Sequence, residues 1–230
     1  MSEFFETSVY WGVFISLLFY GVGCVIKKRL KYPVFNPLLL AIIFTIVFLV
    51  LFHIDYSVYN KSAQYISFLL TPATICLAVP LYNQFELLKK NYKAVLLGIG
   101  SGVLTSLLCI LVLAFLFKFD HASYVTFLPK SITTAIGMGV SEELGGYVSI
   151  TVAVIIITGV LGNMFAETIC KVFKIHDPIA KGVAIGTSSH AIGTAKAMEM
   201  GSIEGAMSSL SIVVSGMLTV IGANIFAQFI

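Results

Sequence analysis

Apolar runs long enough to cross a bilayer alternate with short polar stretches along most of this chain. A spanning helix needs about 20 predominantly apolar residues. Runs of this kind occupy residues 9–26, 36–53, 63–82, 94–117, 148–165 and 206–229. The run 63–82 contains Pro72 and Pro80, so we expect it to be kinked or broken. The polar residues 55–61 are expected to form an outer loop.

Two further regions are too polar for plain spans. Residues 125–146 contain Ser141-Glu142-Glu143 close to their end, and residues 186–196 place hydroxyls, an imidazole and a lysine among glycines. Polar groups in hydrocarbon are costly and usually functional. The pattern predicts an all-α polytopic membrane protein, with about six full spans and two broken or re-entrant helical elements. We assign residues 1–230 to a single transmembrane domain.

Composition agrees with a membrane protein. The chain is 58% hydrophobic and 11% charged, whereas a soluble domain is about half apolar and about a quarter charged. The net charge of +3 gives no reason to expect a nucleic-acid partner, because the basic residues cluster at the ends of apolar runs. We expect no such partner. The strongest cluster is Lys27-Lys28-Arg29-Leu30-Lys31. It predicts that the N-terminus, which carries Glu3 and Glu6 instead of a basic signal-peptide region, lies outside.

Topology beyond residue 125 has two alternatives. If residues 125–146 cross the membrane, then Lys171, Lys174 and Lys181 lie outside. If residues 125–146 re-enter from outside, these lysines are cytoplasmic, as the charge bias prefers. The element after Pro178 then enters from the opposite face, and the two broken elements meet near the midplane. We favour this second arrangement.

An internal repeat is predicted from matched positions. Pro72, Pro129 and Pro178 are each followed six residues later by Ala-Val or Ala-Ile. Residues 72–104 match residues 129–161 at a constant offset of 57, as in Gly102 and Gly159. Repeated broken helices are typical of transporters, although apolar sequences also resemble one another by chance.

The polar groups of the two broken regions suggest a site for a small anion. Hydroxyls and free amides at half-helix N-termini suit an anion, because the helix dipole is positive there. Glycines such as Gly186 and Gly193 let the backbone approach a ligand, and an imidazole titrates near neutral pH. The proton-coupling candidates are His190, Glu142 and Glu143. The substrate-binding candidates are Lys130, Ser131, Thr133, Thr134, Thr187, Ser188, Ser189, His190 and Thr194.

Each candidate also has a structural explanation. Lys130 could snorkel to the interface, the two glutamates could end a solvated loop, and His190 could pack as a satisfied histidine. Hydroxyls can bond back to their own helix, and Lys196 can pair with Glu199 three residues away. The four cysteines are expected to be small buried side chains without a disulfide or metal spacing.

Enzymatic activity is not expected. The chain contains no nucleophile elbow, zinc-ligand spacing or phosphate-binding loop. We therefore expect no catalytic residue, no metal and no cofactor.

The polar motifs and their order resemble the LrgB/CidB family over essentially the whole chain. The resemblance is carried by PATICLAVPLY at 72–82, PKSITT at 129–134, SEELGG at 141–146, DPIAKG at 177–182 and GTSSHAIGTAKA at 186–197. It implies a multi-pass protein of the bacterial plasma membrane. Members are described as antiholin-like or holin-like proteins that act with a small LrgA/CidA-type membrane partner on murein hydrolase activity, autolysis and programmed cell death.

The resemblance also implies a second activity, because plastid and some bacterial relatives move small monocarboxylates such as glycolate, glycerate or pyruvate. The polar constellation favours proton-coupled transport of a small carboxylate as the biochemical act. A non-transporting regulator is the alternative. The sequence leaves open a homo-oligomer, the coupling ion and the choice between the LrgB and CidB branches.

Overall fold

The computed structural model describes residues 8–30, 35–76 and 78–230, and all the regular elements in these ranges are helical. This confirms the all-α prediction. The chain divides into two compact units, Met1–Cys76 and Leu77–Ile230. Assigning both units to one transmembrane domain stays a prediction. Glu3, Glu6 and Lys31, on which the expected orientation partly depends, lie outside the described residues.

In its described residues, the first unit contains three helices and one short helix. These are α1 (Trp11–Leu30), α2 (Pro37–Leu51), α3 (Tyr56–Ser67) and α4 (Leu70–Cys76). Asn36 caps α2 by accepting a hydrogen bond from the Leu38 amide at 2.9 Å. The backbone of Gly12 donates to Ser62 at 3.1 Å, and Ser16 contacts Tyr59 at 2.7 Å, so α1 packs on α3.

The predicted outer loop 55–61 is wrong, because α3 already begins at Tyr56. Tyr59 and Ser62 of this helix pack on α1, whereas Ser57, Asn60 and Lys61 are exposed. The predicted break in the run 63–82 is confirmed, since α3 ends at Ser67 and α4 ends at Cys76. Leu77 lies outside the described residues.

The second unit contains three long apolar helices and several shorter ones. Its elements are α5 (Ala78–Asn83), α6 (Phe85–Phe117), α7 (His121–Phe127), α8 (Thr134–Glu143), α9 (Val148–Val172), α10 (Pro178–Met200) and α11 (Ser202–Phe226), followed by a 3-10 turn at Ala227–Phe229. Among the described residues, three helices are long and apolar enough to cross a membrane, namely Phe85–Phe117, Val148–Val172 and Ser202–Phe229. The count of six spans stays a prediction.

The core of this unit forms along one face of α6. Val95, Ile99, Val103 and Leu107 recur every fourth residue and are buried, as expected for one helical stripe. They pack in a cluster that includes Tyr124 of α7 and Met207 of α11.

Helices α7 and α8 form a hairpin. Near its base, the Tyr147 amide donates to Thr126 Oγ1 at 2.8 Å, and His121 Nε2 lies 3.3 Å from the Leu144 carbonyl oxygen. The tip is the turn from Lys130 to Thr133. Both ends of the hairpin therefore lie together, which is the path that the re-entrant alternative requires.

Helix α10 also doubles back, at His190. The backbone there has φ 43° and ψ −142°, which is not helical. A side chain on Gly193 would lie 3.1 Å from Ile185 Cγ2, although eight residues of straight helix span about 12 Å. Ile185 also shares a buried cluster with Ala197. The predicted break is confirmed, and the two arms of α10 run antiparallel.

The two hairpins start from opposite ends of α11. Tyr124 Oη donates to the Phe226 carbonyl oxygen at 3.0 Å near the end of α11. Gly182 instead packs against Glu204 and Met207 near its start. A helix of 25 residues is about 37 Å long. The tips of the hairpins therefore point toward the middle of the unit.

Candidate functional site

A cavity of about 750 Å³ lies between α6, the tip of the α7–α8 hairpin and the first arm of α10. Helices α6 and α10 run side by side here in the same direction. A side chain on Gly98 would lie 3.2 Å from Val183, and one on Gly102 would lie 2.8 Å from Thr187. The volume is within the range of small-molecule sites, about 300–1,000 Å³.

One end of the cavity is polar. Lys130 Nζ donates to Ser131 Oγ at 3.0 Å, and Ser131 Oγ lies 3.3 Å from Ser106 Oγ. Thr187 and Ser188 line the same cavity from α10. Among the described residues no carboxylate forms an ion pair with Lys130. This end thus combines a single positive charge with several hydroxyls.

Thr187 has an unsatisfied hydroxyl. The residue is 6% exposed, and its Oγ1 is buried without a hydrogen-bond partner in the described part of the chain. A buried hydroxyl without a partner costs about 1–3 kcal/mol. Such an orphan beside a cavity is a natural partner for a bound polar ligand.

Some predicted site residues meet in this cavity and others do not. Lys130, Ser131, Thr187 and Ser188 line it. Thr133 and Thr134 lie at the start of α8, partly buried, and are not part of the lining. Thr187 and Ser188 lie at the C-terminal end of an α10 arm, so the expected free amides of a half-helix N-terminus do not accompany them.

Ser189, His190 and Thr194 form the tip of the α10 hairpin instead. All three are buried. His190 Nε2 donates to the Ile155 carbonyl oxygen of α9 at 3.0 Å, and Thr194 Oγ1 lies 2.7 Å from Ser208 Oγ of α11. These residues fasten the hairpin tip to two long helices and do not line the cavity.

Ile155 separates the histidine from the other hairpin. Its carbonyl oxygen accepts the bond from His190, while its side chain faces Gly137 of α8. Gly137 in turn packs near Pro129, one residue before Lys130. The two tips are therefore neighbours across one isoleucine.

The remaining candidates have other surroundings. Glu142 and Glu143 are exposed at the end of α8, outside the cavity lining. Gly186 packs against Ser208 of α11, and Gly193 packs against Ser189 and Ile185 of the first arm. The close approaches at both glycines are made to neighbouring helix segments. Lys196 pairs with Glu199 at 3.1 Å as expected, and also with Glu167 of α9 at 2.7 Å.

Several residues that line the cavity are not among the site residues predicted from the sequence. Ser106, Thr105, Asn91 and Asp177 contribute the other polar groups of the cavity. The available signal is the presence of Ser101, Thr105 and Ser106 in the middle of the Leu-rich run 94–117. Hydroxyls at these positions are equally well explained by hydrogen bonds to the backbone of their own helix. Thr105 makes such a bond to the Ser101 carbonyl oxygen.

The cysteines differ from expectation. Cys170 is buried, but the expected burial is wrong for Cys24, Cys76 and Cys109, which are exposed. Within the described ranges no group of three or more His, Cys, Asp or Glu residues could hold a metal ion.

These features define a class of protein: an α-helical membrane protein with two helical hairpins and a cavity that carries Lys130 and several hydroxyls at one end. The LrgB-like family model matches residues 16–229. The chain is 38% identical over 222 residues to the antiholin-like protein LrgB of Bacillus cereus (strain B4264), covering 96% of each chain. It has the same identity and coverage with the antiholin-like protein LrgB of Bacillus anthracis (strain CDC 684 / NRRL 3495). The chain belongs to the LrgB-like family. No solved structure matches it.

Proposed function

We propose that this chain carries small monocarboxylates, such as pyruvate or glycolate, across the bacterial plasma membrane. The observation that carries the proposal is the polar end of the cavity. There Lys130 supplies a positive charge, Ser131 and Ser106 supply hydroxyls, and Thr187 supplies an unpaired one. A carboxylate accepts charge-assisted hydrogen bonds from such groups, which are stronger than neutral ones.

The hairpin arrangement supports transport in preference to a static pore. In transporters, broken helices at corresponding positions form the binding site, and the repeats rock about it. We propose that hairpin α7–α8 with α9, and hairpin α10 with α11, are modules of inverted topology. The predicted repeat of residues 72–104 and 129–161, which is a different pairing, also belongs to this proposal. The six spans, the multi-pass plasma-membrane location and the outside N-terminus belong to it as well.

Proton coupling is assigned to His190. Its imidazole is buried at a hairpin tip, and Nε2 bonds to the carbonyl oxygen of Ile155. Gain of a proton at Nδ1 leaves the Nε2–H donor in place and makes the ring cationic, which strengthens the bond between the tip and α9. Glu142 and Glu143 are weaker candidates for this role because they are exposed.

Transport would also account for the names of the relatives. Movement of a weak acid together with a proton changes cytoplasmic pH, and we propose that autolysis responds to this change. A small LrgA/CidA-type membrane protein is the proposed partner.

Flux into proteoliposomes tests the proposal. Purified protein should take up radiolabelled pyruvate faster than empty vesicles do, with a further increase under an inward proton gradient. Lys130→Gln should reduce uptake at least tenfold, Lys130→Arg should retain part of it, and His190→Ala should abolish the response to the proton gradient. The exposed Lys174→Gln serves as the control. Uptake no faster than in empty vesicles would refute the proposal.

The alternative is a non-transporting regulator of murein hydrolase activity that acts by binding its partner. It is favoured by the names of the Bacillus relatives, which describe antiholin-like proteins. It predicts that lysis control survives alanine at Ser188, Ser189 and His190 but fails when a helix face is altered. Transport predicts loss of both activities in the first set of variants.

A further inference from the structure

The cavity is divided along its length into a polar end and an apolar arm. Beyond Thr187 and Ser188, its walls are formed by aliphatic and small residues of α6 and α10. These are Ala94, Val95, Gly98, Ile179, Ala180, Val183 and Ala184. The far end of the cavity carries Asn91 and Asp177, so the positive charge that a carboxylate needs is confined to the Lys130 end.

The arm is long enough for an aliphatic chain. From Thr187 to Asp177, both of which line the cavity, α10 covers ten residues, or about 15 Å. Pyruvate and glycolate occupy only a small part of a volume of about 750 Å³. A ligand with an apolar tail would remove much more of the arm from water.

The two charged groups in the lining lie at opposite ends. Lys130 is at the polar end, whereas Asp177 is at the start of α10, where it accepts a hydrogen bond from the Ala180 amide at 2.9 Å. A second carboxylate on a ligand held at Lys130 would therefore meet apolar walls and then a negative charge. Both features disfavour dicarboxylates.

We infer that the cavity selects monocarboxylates with an aliphatic tail of several carbons, with Lys130 binding the carboxylate and the α6–α10 arm binding the tail. This inference rests on the proposed function for the location of the carboxylate. It goes further by naming the substrate class and the residues that determine chain-length preference. Each additional methylene buried in the arm should tighten binding about twofold to fourfold.

Calorimetric titration of the full chain in lipid nanodiscs tests the inference independently of transport. The ligands are acetate, butanoate, hexanoate and adipate, and empty nanodiscs correct for partition into lipid. Hexanoate should bind at least tenfold more tightly than acetate. Adipate, which has a carboxylate at its far end, should bind at least tenfold more weakly than hexanoate.

Three variants test the roles of the arm and of Asp177. Ala94→Leu should fill the arm and reduce the ratio of hexanoate to acetate affinity to within about twofold of unity. The control is Ala195→Leu, an exposed alanine on the other arm of α10 that lies outside the cavity lining, and it should preserve the ratio. Asp177→Asn retains a good helix cap and should reduce the discrimination against adipate.

The outcomes separate this inference from the proposed function. Equal affinities for acetate and hexanoate would overturn the inference even if pyruvate is transported. An equal loss of the preference for hexanoate over acetate in Ala94→Leu and Ala195→Leu would also overturn it. Chain-length dependence that is lost in Ala94→Leu would support it even if no flux is measured, in which case only the transport proposal fails.

Discussion

Thr187 is the residue at which stability and ligand binding are expected to oppose each other. Its hydroxyl is buried without a partner, whereas its methyl group packs near Gly102. Thr187→Val retains the shape and removes the unsatisfied oxygen, so the free energy of unfolding should rise by about 1 kcal/mol. Pyruvate affinity should fall about threefold to tenfold if the ligand pairs with this hydroxyl.

Thermal unfolding and calorimetric binding in nanodiscs measure the two effects. The control is Thr105→Val, since the Thr105 hydroxyl already bonds to the Ser101 carbonyl oxygen at 2.7 Å. This second substitution should not stabilise the protein. Stabilisation by Thr187→Val without any loss of affinity would mean that the hydroxyl does not meet the ligand.

The packing around two glycines gives a second prediction for single residues. A side chain on Gly162 of α9 would collide with Ser189 beside the tip of α10. In the part of the chain that the structure describes, no neighbour lies within 4 Å of a side chain on Gly139 of α8. Gly162→Ala should destabilise the protein by about 1–3 kcal/mol. Gly139→Ala should be neutral or stabilising by up to about 1 kcal/mol. Equal thermal unfolding of the two variants would contradict the packing described for the tip.

The role of single residues is only partly predictable from the sequence. Lys130 and Ser188 are chemically conspicuous in apolar surroundings and do line the cavity. His190 is equally conspicuous, yet its imidazole bonds to Ile155 of another helix. No local pattern distinguishes these cases, because the difference depends on which long helix packs against each side chain.

The two hairpins are the elements on which the account depends. Each has its ends together and its tip within the unit, and they start from opposite ends of α11. The sequence indicates that these regions cannot be plain spans, since they are short and polar. Their path is not predictable from polarity, because the same polar residues fit a segment that crosses the membrane and one that doubles back. Contacts such as that of Ile185 with Gly193 show that the chain doubles back.

Labelling of single cysteines tests this path. In a variant lacking the four native cysteines, His121→Cys and Glu142→Cys should react with an impermeant maleimide from the same side of the membrane. His176→Cys and Glu199→Cys should both react from the other side. All four positions are exposed. If His121→Cys and Glu142→Cys react from opposite sides, residues 121–143 cross the membrane and the hairpin is excluded.

At the scale of the whole molecule, the helical class and the family were accessible from hydropathy and from ordered motifs. The cavity was not, because half of its lining comes from α6, a helix that reads as an ordinary apolar span. Helix α6 forms this wall of the cavity because Gly98 and Gly102 let it pack close to α10. Small residues of this kind permit close helix packing anywhere in a membrane protein, so only the structure assigns them to a site.

Transport as proposed requires that a small carboxylate bind at the Lys130 end of this cavity. Cys109 is exposed and lines the cavity, so it can report on occupancy once Cys24, Cys76 and Cys170 are replaced by serine. The most direct measurement is the rate of Cys109 alkylation in proteoliposomes with and without pyruvate. Saturating pyruvate should slow alkylation at least threefold, and Lys130→Gln should remove this protection. An alkylation rate that pyruvate leaves unchanged would contradict the proposal.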